Sequence, residues 1–527
     1  MHKAAPKEDP SGYTTQQSDE DPSGYTTQHK SSPPKMITLG GFIMITSAAL
    51  LSIRTFPAQA LLGWQSVAFN IAAVILYLLP AAFVAAELAS AWPDEGGVYV
   101  WVKEAFGERW GFTAIWIQWF QMTIGFIAIL AFIGGSVAYV FAPDIAENKL
   151  YIFLVILAVW WGATAVNLKG IKAYERMTTW FTALGVYLPF VLLILGAIVY
   201  FARGGVLQIP LVPHGSADLI PHISGLSAMS LLVTYVFFFI GIEMTAAHVN
   251  HLEKPGRNYP IAILSISVIM TAISILGSLI VAWLVPAKKM SLNAGVMQAV
   301  AIAYGVSSPL LVKTIGLLVA IGATGQVVAW VLGPVRGLAV TAEHGSLPPI
   351  LQKRNSEGMP VGLLIAQGLF VTFWGLVFLL YPGGLNSSFW ALFALTTTVY
   401  IVMYFLMYAA AIKLRYTQPN RPRAFRVPGG KTGMWVVAGW GFISMVFVFL
   451  VALLPPDQVK GDAPIFITFM LAGTAAVVAI PLGIYAKRRA NWKPSAKDER
   501  ISSTQIAQTT IAVSYTHLRA HETLRYL

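Results

Sequence analysis

The chain has 527 residues, 56% of them hydrophobic and only 11% charged, with a formal net charge of +12 and no cysteine. A mean hydropathy of +0.67 excludes a soluble protein with several cores and implies an integral membrane protein. Without cysteine neither disulfides nor thiolate-held metals can form, and the basic excess must be weighed against loop position before nucleic acid is invoked.

Residues 1–35 are polar and contain EDPSGYTTQ twice, at Glu8 to Gln16 and Glu20 to Gln28. So little apolar surface cannot offset the entropy of ordering, and the segment reads as a disordered cytoplasmic tail with a local duplication. The apolar run behind it lacks a small-residue cleavage site, so the first span is expected to stay. From there about twelve segments are long enough, at ~20 residues each, to cross a ~30 Å hydrocarbon core. They are 36–62, 66–90, 111–142, 149–168, 175–202, 226–250, 260–285, 309–342, 360–381, 388–413, 433–454 and 464–486. The expected fold class is an all-α integral membrane protein, with a transmembrane domain over 36–487 and a basic cytoplasmic tail over 488–513. The last stretch, SYTHLRAHETLRYL at 514–527, resembles translated sequencing adapter or vector and is set aside.

With the N-terminus inside, inner connections carry Lys169, Lys172, Arg176, Lys254, Arg257, Lys353, Arg354, Lys413, Arg415, Arg421, Arg423, Arg426 and Lys431. Outer connections carry only Lys149, Arg203, Lys288, Lys289 and Lys460. That asymmetry places both termini in the cytoplasm and explains the positive charge as topology, with no nucleic-acid partner.

Ionisable groups at membrane depth are costly and normally face a bundle interior or a wet cavity. Here they are Arg54, Glu87, Glu243, Lys313 and Arg336. Lys313 and Arg336 lie near span ends, where long basic chains snorkel. Glu243 follows Gly241 well inside the sixth span, and a short carboxylate cannot snorkel as they do. It is the candidate proton-coupling residue, since a buried carboxylate can exchange a proton during a cycle.

The first and sixth spans carry helix-breaking residues, Pro57 and Gly241, and run in opposite directions, as an inverted repeat requires. In transporters built that way, corresponding helices break near the midplane and their freed backbone groups bind substrate and ions. Thr46, Ser47 and Ser52 in the first and Thr234 and Gly241 in the sixth are the candidate ligands; two ordinary kinked helices would give the same pattern. Arg54 has two readings. A guanidinium can hold a side-chain carboxylate bidentately, yet Arg54 is also within snorkelling reach of the outer interface, roughly 28 Å of helix from Lys35. Trp330, Tyr400 and Tyr404 are candidate walls of a pathway, or packing aromatics. His248 and His251 titrate near neutrality, as cytoplasmic pH sensors or plain interfacial groups. The amphipathic stretch from Asp94 to Trp110 reads as an inner re-entrant or interfacial segment with a gating role.

Several longer motifs carry a resemblance. AELASAWPDEGGVYVWV (Ala86 to Val102), HVNHLEKPGRNYP (His248 to Pro260) and GPVRGLAVTAEHGSLP (Gly333 to Pro348) resemble cytoplasmic junctions of the amino acid/polyamine/organocation (APC) transporters. SLNAGVMQ (Ser291 to Gln298), AWVLGP (Ala329 to Pro334) and LLPPDQVKGD (Leu453 to Asp462) resemble, more narrowly, the glutamate/GABA antiporter family. The resemblance implies a LeuT-type fold, with two inverted five-helix repeats plus two extra helices, in a bacterial inner membrane. It also implies alternating access and entry of glutamate against GABA, coupled functionally to a cytoplasmic decarboxylase in acid resistance. No cofactor is implied.

Transferred position by position, the resemblance also marks departures. Arg54 stands where those relatives tend to carry tyrosine, and Thr55 and Phe56 where they have Glu-Tyr. Gln326, four residues before Trp330, stands where they have glutamate. The centre has gained a cation and lost an anion relative to that pattern. The competing readings are a proton-coupled amino acid uptake permease and a transporter-derived amino acid sensor. A membrane-embedded enzyme would need a clustered nucleophile and base or metal ligands, and no such motif is present; a channel would need rings of like charge.

Overall fold

The structure is a computed structural model that describes residues 37–92, 96–170, 185, 187–221, 229–245, 252–305, 308–455 and 463–493. The N-terminal tail, the chain from 494 onward, and His248 and His251 lie outside the described residues. What is described is helical almost throughout. In hydrocarbon every backbone N–H and C=O must be paired within its own segment, and sequences this apolar on all faces satisfy that as α-helices.

The chain opens with α1 (Leu39–Leu50), capped by Thr38, whose hydroxyl accepts from Gly41 N at 3.1 Å. After a break come α2 (Phe56–Ala60) and α3 (Gly63–Ala91), which contains a π-helical turn at Val74–Leu78. There follow α4 (Val98–Phe106), α5 (Glu108–Phe141), α6 (Lys149–Leu168) and α7 (Leu188–Ala202). A second interrupted element consists of α8 (Leu232–Phe239) and α9 (Ile242–Thr245). The rest are α10 (Pro255–Leu284), α11 (Gly295–Tyr304), α12 (Pro309–Glu343), α13 (Val361–Leu380), α14 (Leu385–Thr417), α15 (Gly430–Ala452) and α16 (Ala463–Ala486). Among the described residues nine helices are long and apolar enough to cross a membrane.

The most apolar windows of α14 and α5 are 83% and 78% buried, whereas that of α16 is 28% buried, which puts α5 and α14 at the centre and α16 at the periphery. The largest interface joins α5 to α12, and α14 packs on α5 next. These three helices wall the site described below. The amphipathic stretch expected over 94–110 contains α4, which buries Val98, Tyr99, Trp101 and Val102 against its neighbours and leaves Glu104 outward. Lys313 and Arg336 are both exposed on α12.

One expectation changes. Pro57 does not break the first span; it sits in the first turn of α2, where its missing N–H costs nothing and its fixed φ favours the helix. The break falls earlier, at Leu51 (ψ 116°) and Ser52 (φ −144°, ψ 117°), both extended.

Glu87, the remaining charge at depth, is fully engaged. Its carboxylate accepts from Arg415 Nε and Nη2, each at 2.5 Å, and from Val427 N at 2.7 Å, with Arg423 Nε at 3.2 Å completing the ion pair. Arg415 gives two further donors to the carbonyls of Gly430 and Val427 at 3.0 and 2.8 Å. Arg421 and Arg423 lie over the Trp92 ring, and Ser90 Oγ donates to Phe425 O at 2.9 Å. The loop between α14 and α15 is thereby fastened to the end of α3.

Candidate functional site

Both interrupted elements leave backbone outside helical bonding. At the first, Leu51 and Ser52 are extended, and the short turn Ile53–Thr55 carries Arg54. At the second, Ile240 is extended (ψ 138°) and Gly241 has φ +102°, a left-handed conformation that glycine adopts without steric cost. A Cβ at Gly241 would also come within 2.8 Å of the Trp330 ring, so the position has neither the space nor the backbone angle for a side chain.

The two breaks face one cavity. Its lining includes Ser52, Arg54, Gly241, Gln326, Trp330 and Tyr400 among the residues singled out from the sequence. Thr46, Ser47 and Tyr404 lie outside that lining. Thr46 and Ser47 belong to the last turns of α1, and each has a buried hydroxyl without a hydrogen-bond partner. Thr234 donates to Leu231 O at 2.8 Å within its own helix and is also outside the lining.

Gln326 ties α12 to the first break. Its Nε2 donates to Leu51 O at 2.9 Å, satisfying a carbonyl that the interrupted helix leaves free. Arg54 Nη1 donates to Ser52 Oγ at 2.8 Å, and the guanidinium lies 5.3 Å from the centre of the Phe237 ring on α8, a cation–π contact. Its Nε is buried and has no acceptor.

Glu243 stands on the other side of Tyr400. One carboxylate oxygen accepts from the Tyr400 hydroxyl and, at 3.4 Å, from Gln118 Nε2; the other accepts from the Tyr404 hydroxyl at 2.5 Å. Tyr77 and Tyr404 share a hydrogen bond of 2.6 Å, extending the network to α3. Glu243 is 2% exposed, so this cage of hydroxyls and an amide takes the place of water. A second cavity adjoins it, lined by Gly97, Trp101, Ile115, Gln118, Glu243 and Gly337 among others. Tyr400 therefore lines the first cavity and reaches the carboxylate with its hydroxyl, while Glu243 and Gln118 border the second.

Sequence reasoning passed over Gln118, Gln121, Tyr77 and Thr396. Gln121 and Thr396 line the first cavity, and Gln118 and Tyr77 belong to the Glu243 network. The available signal was two glutamines three residues apart in the otherwise apolar third span, a spacing that puts them on one helix face. The arrangement has room for a small polar solute between two backbone breaks, with one cation in the described lining and a buried carboxylate one tyrosine away. Among the described residues no group of acidic and histidine side chains is placed to hold a metal.

The family model described as amino acid permease matches residues 38–477. An uncharacterized transporter of Legionella pneumophila is 35% identical over 457 residues, 86% of this chain and 97% of that protein. The glutamate/gamma-aminobutyrate antiporter of Lactococcus lactis is 33% identical over 458 residues, 86% of this chain and 90% of its own. More distantly, a probable agmatine/putrescine antiporter of Lactococcus lactis is 23% identical over 397 residues, 74% of this chain and 82% of that one.

Proposed function

The chain belongs to the amino acid permease family, and from that premise we propose that it is a secondary active antiporter exchanging amino acids of the glutamate/GABA type by alternating access. The observation that carries the proposal is the single cavity bordered by two helix breaks, at Leu51–Ser52 and Ile240–Gly241. Freed backbone at paired breaks is how inverted-repeat transporters hold small zwitterions at the membrane midplane. The name of the Lactococcus antiporter, at 33% identity over 86% of the chain, supports exchange over proton-coupled uptake or sensing.

Twelve spans in two inverted five-helix repeats plus two, with cytoplasmic termini in a bacterial inner membrane, complete the reading. The breaks support it, lying as they do in the first and sixth expected spans. The domain would occupy 36–487, between tails at 1–35 and 488–513 and the adapter-like 514–527. Glu243 serves as the proton-coupling group, and functional coupling to a cytoplasmic decarboxylase would supply the GABA for export.

Purified protein in proteoliposomes tests this. Labelled glutamate is expected to enter vesicles preloaded with GABA or glutamate and not empty vesicles. Uptake into empty vesicles driven by a pH gradient would favour the permease, and binding without counterflow for any preloaded amino acid would leave only the sensor.

A further inference from the structure

Among the described residues, Arg54 is the one charged side chain lining the first cavity. A guanidinium presents five donors in a planar fork and stays charged at any relevant pH. Here one donor reaches Ser52 Oγ and a face of the fork rests on Phe237, but Nε is buried without an acceptor. No described carboxylate lies within 4.0 Å of it. Glu243 makes no ion pair with it in this arrangement; its carboxylate accepts instead from Tyr400, Tyr404 and Gln118. Thr55 and Gln326, the other polar residues at the break, are neutral. A buried charge left this way is expensive unless something brings it a partner.

We infer that Arg54 is the specificity-determining residue of this cavity, its fork taking the ionised carboxylate at the end of the substrate remote from the carbon that bears the ammonium. The inference rests on the exchange reading above and adds to it what the site selects. Glutamate and GABA share an ammonium and a carboxylate joined by the same short carbon chain, so one guanidinium serves both legs of the exchange. Glutamine matches glutamate in shape and lacks that charge; putrescine puts an ammonium where the carboxylate belongs. A guanidinium pairs with a carboxylate and not with a carboxylic acid, so the bound species is the ionised form. Glutamate binding therefore fades as pH falls through the ordinary side-chain value of about 4.3. Among the described residues that α5, α8, α12 and α14 contribute to the cavity lining, only Tyr400 is titratable, with Glu243 behind it.

Equilibrium binding to purified, detergent-solubilised protein tests this without requiring transport, using glutamate, GABA, glutamine and putrescine as probes. The wild type is expected to prefer glutamate and GABA over glutamine by at least about tenfold, the worth of a charge-assisted bond. Arg54→Gln should lose about tenfold or more for glutamate and GABA, change less than about threefold for glutamine, and lose the decline of glutamate binding between pH 6 and 4. Arg54→Lys should recover part of the affinity, because a point charge attracts without the fork. Equal losses for glutamate and glutamine, a wild type indifferent between them, or an unchanged pH profile in Arg54→Gln would overturn the inference. If Arg54→Gln does not yield monodisperse protein, Arg54→Lys decides alone: partial loss confined to the carboxylate ligands supports the inference, and full retention overturns it. Carboxylate-selective binding without counterflow would sustain the inference and sink the transport reading, whereas counterflow without that selectivity would do the reverse.

Discussion

Arg415 and Arg54 both carry guanidinium nitrogens into the interior, and the fold treats them in opposite ways. Arg415 is 1% exposed and spends its donors on Glu87, Val427 and Gly430, so the ion pair is complete before any ligand arrives. Arg54 reaches one serine hydroxyl and one aromatic face and keeps a buried Nε unsatisfied beside a cavity. Position at depth is thus a poor guide to the role of a charged residue; what separates holding a fold from reading a solute is how many of its hydrogen bonds the protein itself supplies.

The sharpest way to break that contrast is to remove the partner of the saturated arginine. Glu87→Ala leaves Arg415 and Arg423 buried beside no carboxylate and is expected to cost about 3 to 5 kcal/mol. Thermal melting in detergent should show a large loss, or no monodisperse protein at all. Arg54→Ala, measured beside it, should melt no lower than wild type, because it removes an uncompensated charge. Equal destabilisation by the two would erase the distinction.

Next in size is Gly241→Leu, which forces a side chain into a φ of +102° and against Trp330. Binding of every amino acid substrate should disappear together, since the defect lies in shared backbone; loss for one substrate alone would place Gly241 against a side chain. A smaller effect is expected from Glu243→Gln, which keeps one acceptor for the Tyr400 and Gln118 pair and replaces the other. Exchange should persist with a flattened pH dependence in proteoliposomes, and an unchanged profile would remove Glu243 from proton coupling. Least of all should Arg488→Ala matter. Its pair with Glu108 is more than a third exposed on the arginine side, and such surface pairs contribute ~0.2 to 1 kcal/mol. A larger shift in melting temperature would mean that surface and buried pairs differ less here than the comparison holds.

Helices were the most legible part of the sequence, because each apolar run must satisfy its own backbone in hydrocarbon and its length follows from membrane thickness. The expected 149–168 and 464–486 coincide nearly residue for residue with α6 and α16. The breaks were half legible. Gly241 announced itself by residue type, but the extended pair Leu51 and Ser52 has no special composition, and the nearby Pro57 drew attention to a position that is in fact a helix start. Partners across long sequence separations were not legible at all. Glu87 stood out as a charge at depth, yet nothing in one sequence says that Arg415, 328 residues on, closes around it. Gln118 was overlooked because an amide in an apolar helix carries no charge to explain.

The isolated bridge between Ile37 and Leu252 has a mechanical consequence. Ile37 lies just before α1, and Leu252 lies beyond α9 and before α10. Glu253 N donates to Ile37 O at 3.1 Å, so the entrance of one interrupted element is tethered by main chain to the stretch that leaves the other. Phe42 adds an edge-on contact with Tyr259, whose hydroxyl in turn donates to Ala82 O at 3.0 Å on α3. Together these contacts join the entrance of α1 to the start of α10 and to α3, so a tilt of α1 would pull on both. Because the Glu253–Ile37 bond is main chain, side-chain substitutions at Ile37 or Leu252 leave it in place, whereas a proline at Glu253 would delete its donor.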